Sequence, residues 1–187
     1  MGEFTLIEKR GRITIITINR PEVHNALHPP ASFELAEAFD DFAADAGQWV
    51  AILTGAGDRA FSTGNDLKFH AQIKDMRELA LPASGFGGIT SRRGLNKPVI
   101  AAVNGLCYGG GFELALACDL IIASENAAFS LPEVKVGLCA TVGGLIRLPR
   151  LIGSKAAMGI ALTGRAVGAR EAMSMGLSTT WWIAQRC

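Results

Sequence analysis

The chain has 187 residues, 49% of them hydrophobic and 19% charged, an ordinary balance for one globular domain with a sizeable core. Its formal net charge of +1 leaves no basic field to argue for nucleic acid, and no apolar run is long enough to span a bilayer. The four cysteines, Cys107, Cys118, Cys139 and Cys187, form no C-x-x-C pair and no zinc spacing, so free thiols and no metal are expected.

In chain order, the N-terminus lacks the apolar core of a signal peptide, and a cytoplasmic location is expected. Phe4–Lys9 and Arg12–Asn19 are β-rich runs around Gly11 and predict a hairpin. Phe33, Leu35, Ala36, Phe39 and Phe42 repeat with a helical period, which predicts a helix over Ala31–Ala44. Val50–Thr54 is a short buried strand, followed by a turn at Gly55–Gly57 and a glycine-containing loop at Ala60–Leu67. A helix is predicted over Lys68–Leu81 and a flexible loop over Pro82–Gly88. Val99–Val103 reads as a strand, Gly111–Cys118 as a helix, and Leu120–Ala123 and Ala128–Ser130 as strands. Short helices are predicted over Ser154–Leu162 and Ala169–Met175. Strands alternate with helices across long connections, so an α/β domain with mainly parallel pairing is expected.

The chemistry concentrates between Lys97 and Leu120, KPVIAAVNGLCYGGGFELALACDL. Between Pro98 and Cys118, Glu113 is the one formally charged side chain. A carboxylate in so apolar a setting is costly unless paired or used. Gly109–Gly111 precede it at a helix start, where free N–H groups and the positive end of the dipole meet. Asn65 and Gly110 each lie in a glycine loop after a buried strand. If the loops meet, their N–H groups form an oxyanion hole, and otherwise they are ordinary turns. Glu133, after Pro132, is either a helix-start residue or the second carboxylate of an acid/base pair. The glycines match neither G-x-G-x-x-G nor a P-loop, and no G-x-S-x-G elbow is present.

Six segments stand in a fixed order along the chain and contain these residues. They are NRPEVHNAL at Asn19–Leu27, AFSTGNDL at Ala60–Leu67, KPVIAAVNGLCYGGGFELALACDLIIAS at Lys97–Ser124, FSLPEVKVGL at Phe129–Leu138, GGLIRLPRLIG at Gly143–Gly153 and LTGRAVGAREAMSMGL at Leu162–Leu177. Together they resemble the enoyl-CoA hydratase/isomerase (crotonase) superfamily over nearly all of Phe4–Leu177.

The resemblance implies a spiral of ββα turns and, in full-length members, a C-terminal helical region that builds trimers and hexamers. It implies acyl-CoA thioester ligands, with coenzyme A carried by the substrate and no metal or redox cofactor. The oxyanion hole falls on the N–H groups of Asn65 and Gly110. The two hydratase glutamates fall on Glu113 and Glu133, which activate a water for addition to a trans-2-enoyl thioester. Asn25, Ala26 and Leu27 match a segment near the CoA nucleotide, and Lys68 lies where a basic side chain could meet its phosphates. Many hydratases have Pro-Gly-Ala where this chain has Ala140-Thr141-Val142, so Thr141 is expected to shape the acyl site, and branched or polar acyl groups, as in carnitinyl-CoA chemistry, stay open. Isomerase activity and a non-catalytic remnant that binds CoA or a partner are the alternatives.

After Leu177 the family pattern stops, and the expected division is a spiral core over residues 1–177 and an aberrant tail over 178–187. Trp181-Trp182-Ile183 must be written TGG-TGG-AT plus one base, and the neighbouring frame then forces Val-Asp. With free wobble choices, Ser178–Cys187 back-translates to V-N-D-V-V-D-R-A-A-L, a family-like continuation. The expectation is a truncated member, by a frameshift near codon 178 in the gene or in its sequencing, and resequencing that stretch tests it.

Overall fold

The computed structural model describes residues 2–73, 75 and 80–182. The N-terminal hairpin is present: β1 (Thr5–Arg10) pairs antiparallel with β2 (Ile13–Ile18), Thr5 opposite Ile18 and Arg10 opposite Ile13. Alternation in β2 buries Thr14, Ile16 and Ile18. Helix α1 (Pro29–Ala44) starts two residues before its predicted beginning. Two prolines open it because first-turn N–H groups have no intrahelical acceptor anyway. His28 caps it, Nδ1 accepting from the Ala31 N–H at 3.3 Å. At the other end the Lys97 ammonium donates to the Phe42 and Asp45 carbonyls, 2.7 Å each, satisfying acceptors the helix leaves open.

Three strand–strand units come next. They are β3 (Val50–Gly55), β4 (Ala60–Ser62) and helix α2 (Leu67–Gln72); β5 (Val99–Val103), β6 (Leu106–Tyr108) and helix α3 (Gly110–Ala117); and β7 (Leu120–Ser124), β8 (Ala128–Ser130) and a 3-10 turn at Pro132–Val136. Each unit sends its first strand to one sheet and its second strand to another. Among the described residues the larger sheet has the order β1-β2-β3-β5-β7-β10, with β10 at Thr180–Trp182, and the smaller one β4-β6-β8-β9, with β9 at Val167–Gly168. Beyond the hairpin the larger sheet is parallel, as are β4-β6 and β6-β8. The remaining helices are α4 (Gly144–Ile152), α5 (Ser154–Thr163) and α6 (Ala169–Ser174).

The core joins the two sheets to the helices. Ile16, Leu53, Ala101 and Ala123 are fully buried on the larger sheet, and Phe39 and Phe42 on α1 are buried with them. Phe112 of α3 meets Phe129 of β8 with ring centroids 5.3 Å apart. Each large apolar side chain of this kind contributes roughly 1.5–3 kcal/mol by leaving water.

Three departures from the sequence reading stand out, the first two with a physical cause. Strand β6 is hidden inside the expected glycine turn, because three residues show no periodicity. Helix α4 carries Pro149 in its interior, and proline ordinarily signals a break. Helix α2 ends at Gln72, whereas a helix to Leu81 was expected; residues 74 and 76–79 of that stretch lie outside the described residues. Of the expected tail, β10 runs parallel to β7, with Thr180 beside Ile122, and residues 183–187 lie outside the described residues. No helix among the described residues is long and apolar enough to cross a membrane.

Candidate active site

The site sits where three parallel strands end. β4, β6 and β8 are neighbours, and each runs at its C-terminal end into a turn that carries one or more expected functional groups. Asn65 comes after β4, Gly110 and Glu113 after β6, and Glu133 after β8. Parallel pairing in this order sets the three turns side by side, at the strand ends where α/β proteins commonly place ligands.

The first two turns supply unspent N–H donors. Asn65 forms a parallel bridge with Leu27: the Leu27 N–H donates to Gly64 O at 2.7 Å and the Asp66 N–H to Leu27 O at 2.9 Å. In that geometry the middle residue's own N–H points to the opposite edge, away from Leu27. Gly110 is the first residue of α3, where the N–H has no intrahelical acceptor. Among the described residues neither N–H finds a protein acceptor. The two turns touch: a Cβ on Gly64 would fall 2.6 Å from the Gly110 nitrogen, so only glycine permits the approach. Gly109 makes the turn with φ 54 and ψ −128, a backbone state that side chains resist.

The carboxylates complete the constellation. Glu113 lies one turn after Gly110 on the same face of α3 and is 2% exposed. Its Oε1 accepts the Gly144 N–H at 2.8 Å, from the start of α4. Burial raises its pKa to about 7, the charge of Glu133 adds to the rise, and the N–H groups of Gly144 and Val142 and the Arg147 guanidinium oppose it. Glu133 reaches toward the glycine turn, its Oε1 3.3 Å from the place a Cβ would occupy on Gly109. Burial pushes its pKa up as well, and its Oε2 is buried without a hydrogen-bond partner. Two carboxyl groups with raised pKa values on one cavity can share one charge and take opposite roles in proton transfer.

These groups line a cavity of about 620 Å³. Asn65, Gly110, Glu113, Glu133 and Thr141 are on its wall. Asn25, Ala26, Leu27 and Lys68 are not. Asn25 is fully buried, and its side chain is spent on the Arg20 N–H and the Ala56 and Ala60 carbonyls. The segment Asn25–Leu27 supports the Asn65 turn from behind through the Leu27 bridge and the Asn25 side chain. Arg20 reinforces that support, pairing with Asp66 at 3.0 Å and donating to Ala26 O. Lys68 is exposed on α2, outside the cavity wall.

Sequence reasoning missed His70, Leu138 and Cys139, which also line the cavity. His70 had a findable signal, since it falls one turn after Leu67 on the face that Asn65 opens. Phe69, on another face of α2, packs edge-on against His28 at 5.1 Å and sets the helix's rotation.

The proton held by Glu113 links the site to stability. Between pH 4.5 and about 7 the folded chain retains a proton that the unfolded chain has released, so stability falls as pH rises through that window. The gap corresponds to about 3 kcal/mol at pH 8. Glu113→Gln keeps an oxygen for the Gly144 N–H and removes the titration. We expect the variant to be more stable than the parent at pH 8 and to converge with it near pH 4.5, measured by urea denaturation across pH. Parallel stability curves would refute the assignment.

Known proteins similar to this chain fall in one family. A family model described as enoyl-CoA hydratase/isomerase matches residues 8–182. A carnitinyl-CoA dehydratase of Escherichia coli strain K12 is 44% identical over 177 residues, which is 95% of this chain and 67% of that protein. The crystal structure of an enoyl-CoA hydratase from Mycobacterium tuberculosis superposes with a TM-score of 0.89 at 46% identity, covering 97% of this chain and 70% of that one. A carnitinyl-CoA dehydratase structure from Mycobacterium avium gives 0.91 at 42% identity, covering 98% and 71%.

Proposed function

The chain belongs to the enoyl-CoA hydratase/isomerase family, and from that premise we propose that it adds water across the 2,3 double bond of an enoyl-CoA thioester, and reverses the reaction. The observation that carries this reading is the convergence of two free N–H donors and two carboxyls of raised pKa on one cavity. The thioester oxygen sits between the Asn65 and Gly110 N–H groups, which stabilise the negative charge it gains as the β-carbon is attacked. Glu113, whose ionised form the Gly144 and Val142 N–H groups favour, takes a proton from water as the water oxygen bonds the β-carbon. Glu133, whose burial favours its protonated form and whose Oε2 is unpartnered, delivers a proton to the α-carbon. One proton has then moved from Glu133 to Glu113, and exchange between the pair or with solvent resets the site.

Relatives named carnitinyl-CoA dehydratase favour a second substrate reading within the same chemistry. Both readings are tested by one assay. Hydration of crotonyl-CoA removes the ultraviolet absorbance of the conjugated thioester, and dehydration of carnitinyl-CoA creates it. Turnover of crotonyl-CoA at the higher kcat/KM supports the general hydratase, turnover of carnitinyl-CoA at the higher value supports the second reading, and no turnover of either overturns both.

A further inference from the structure

We propose that Arg147 is a positioning residue for Glu113, its guanidinium clamping the loop whose N–H groups hold that carboxylate. The side chain leaves the first turn of α4 and folds back over the loop: Nη1 donates to the Val142 carbonyl at 3.3 Å and Nη2 to the Thr90 carbonyl at 2.7 Å. A Cβ on Gly143 would overlap Nη1, so the glycine leaves the passage through which the guanidinium reaches Val142. From the same loop, the Gly144 N–H holds Glu113 Oε1 at 2.8 Å. The planar fork thus ties together two segments distant in sequence, 57 residues apart at Thr90, and holds the Val142–Gly143 peptide unit, which lies between the two units that present donors to Glu113. Arg147 does not line the cavity that holds the carboxylates, so it acts through Glu113 and touches no substrate.

Charge works in the same direction as geometry. Glu113 faces Glu133 from the 3-10 turn and Arg147 from α4, while His70 and Lys135 line the same cavity from α2 and that turn. Arg147 lowers the pKa of Glu113 and Glu133 raises it. Without the guanidinium the carboxyl would hold its proton to higher pH, and less of it would be ready to accept one from water.

The catalytic part of this inference rests on the hydratase reading, but the link between Arg147 and Glu113 does not, and the two are measured separately. Carbon-13 NMR of glutamate-labelled protein follows the Glu113 carboxyl without any substrate, its signal assigned by its loss in Glu113→Gln. Arg147→Gln is expected to move that titration upward, and Arg147→Lys, which keeps the charge but not the fork, to move it by less. In the hydration assay both variants should lose kcat by about tenfold, because neither can span both carbonyls, with KM changed by less than about threefold. An unmoved Glu113 titration in Arg147→Gln overturns the proposal whether or not the protein hydrates crotonyl-CoA. If Arg147→Gln does not fold, Arg147→Lys decides: a lowered kcat at unchanged KM supports the clamp, and parental kcat overturns it.

Discussion

Glu133→Gln should lower kcat for enoyl-CoA hydration by roughly 10²–10⁴-fold, the range expected when a positioned acid or base is removed. Glutamine fills the same volume, so packing at the Pro132–Val136 turn should hold, and the far-ultraviolet circular dichroism should match the parent. The loss arises from the site's proton balance. Addition of water needs one group to take a proton and another to give one, and Glu133 Oε2 is a buried oxygen with no partner among the described residues. A neutral amide at that position cannot release a proton. Glu113→Gln should fall by a similar factor. The double variant should be little worse than either single one, because the pair acts as a unit. Single-turnover measurement with crotonyl-CoA checks all three. A Glu133→Gln enzyme within tenfold of the parent would remove Glu133 from the mechanism.

Asn65→Pro and Asn65→Ala should differ sharply. Alanine keeps the backbone N–H, and the Asn65 side chain is exposed, so activity should stay within about threefold of the parent. Proline removes the N–H and with it one oxyanion donor, expected to cost about 10²–10³-fold in kcat. The substitution is tolerable for the fold because the Leu27 bridge uses Gly64 O and the Asp66 N–H, and leaves the Asn65 N–H out. Thermal melts of both variants test that tolerance, and equal activities would show that the thioester oxygen is not held there.

The two carboxylates differ in how far they can be read from the chain. Glu113 is conspicuous in sequence, since a lone charge among Phe112, Leu114, Ala115 and Leu116 has to be paired or used. Glu133 is not: after Pro132 it fits a helix start equally well, and it joins the site because β8 lies parallel to β6. The role of the Asn25 side chain is likewise invisible in the chain, because the three backbone groups it bonds, at Arg20, Ala56 and Ala60, are gathered around it only in the fold. Arg147 leaves no local signal, because one of its partners, Thr90, lies far along the chain.

By itself the sequence determined the features that obey local rules. Periodicity set the hairpin, α1 and the longer strands, and glycine at Gly64 and Gly109–Gly111 marked where backbones must bend or approach. The buried acid at Glu113 marked where chemistry was to be sought. Tertiary structure alone decided that these pieces form one site. The smaller sheet is built from strands of three residues or fewer, of which the sequence marked Ala128–Ser130 alone, and the parallel order of β4, β6 and β8 brings Asn65, Gly110 and Glu133 together. The pKa near 7 at Glu113 also belongs to the folded state, because burial, the neighbouring charge and the opposing N–H groups exist only when α3, α4 and the Pro132–Val136 turn are packed around it.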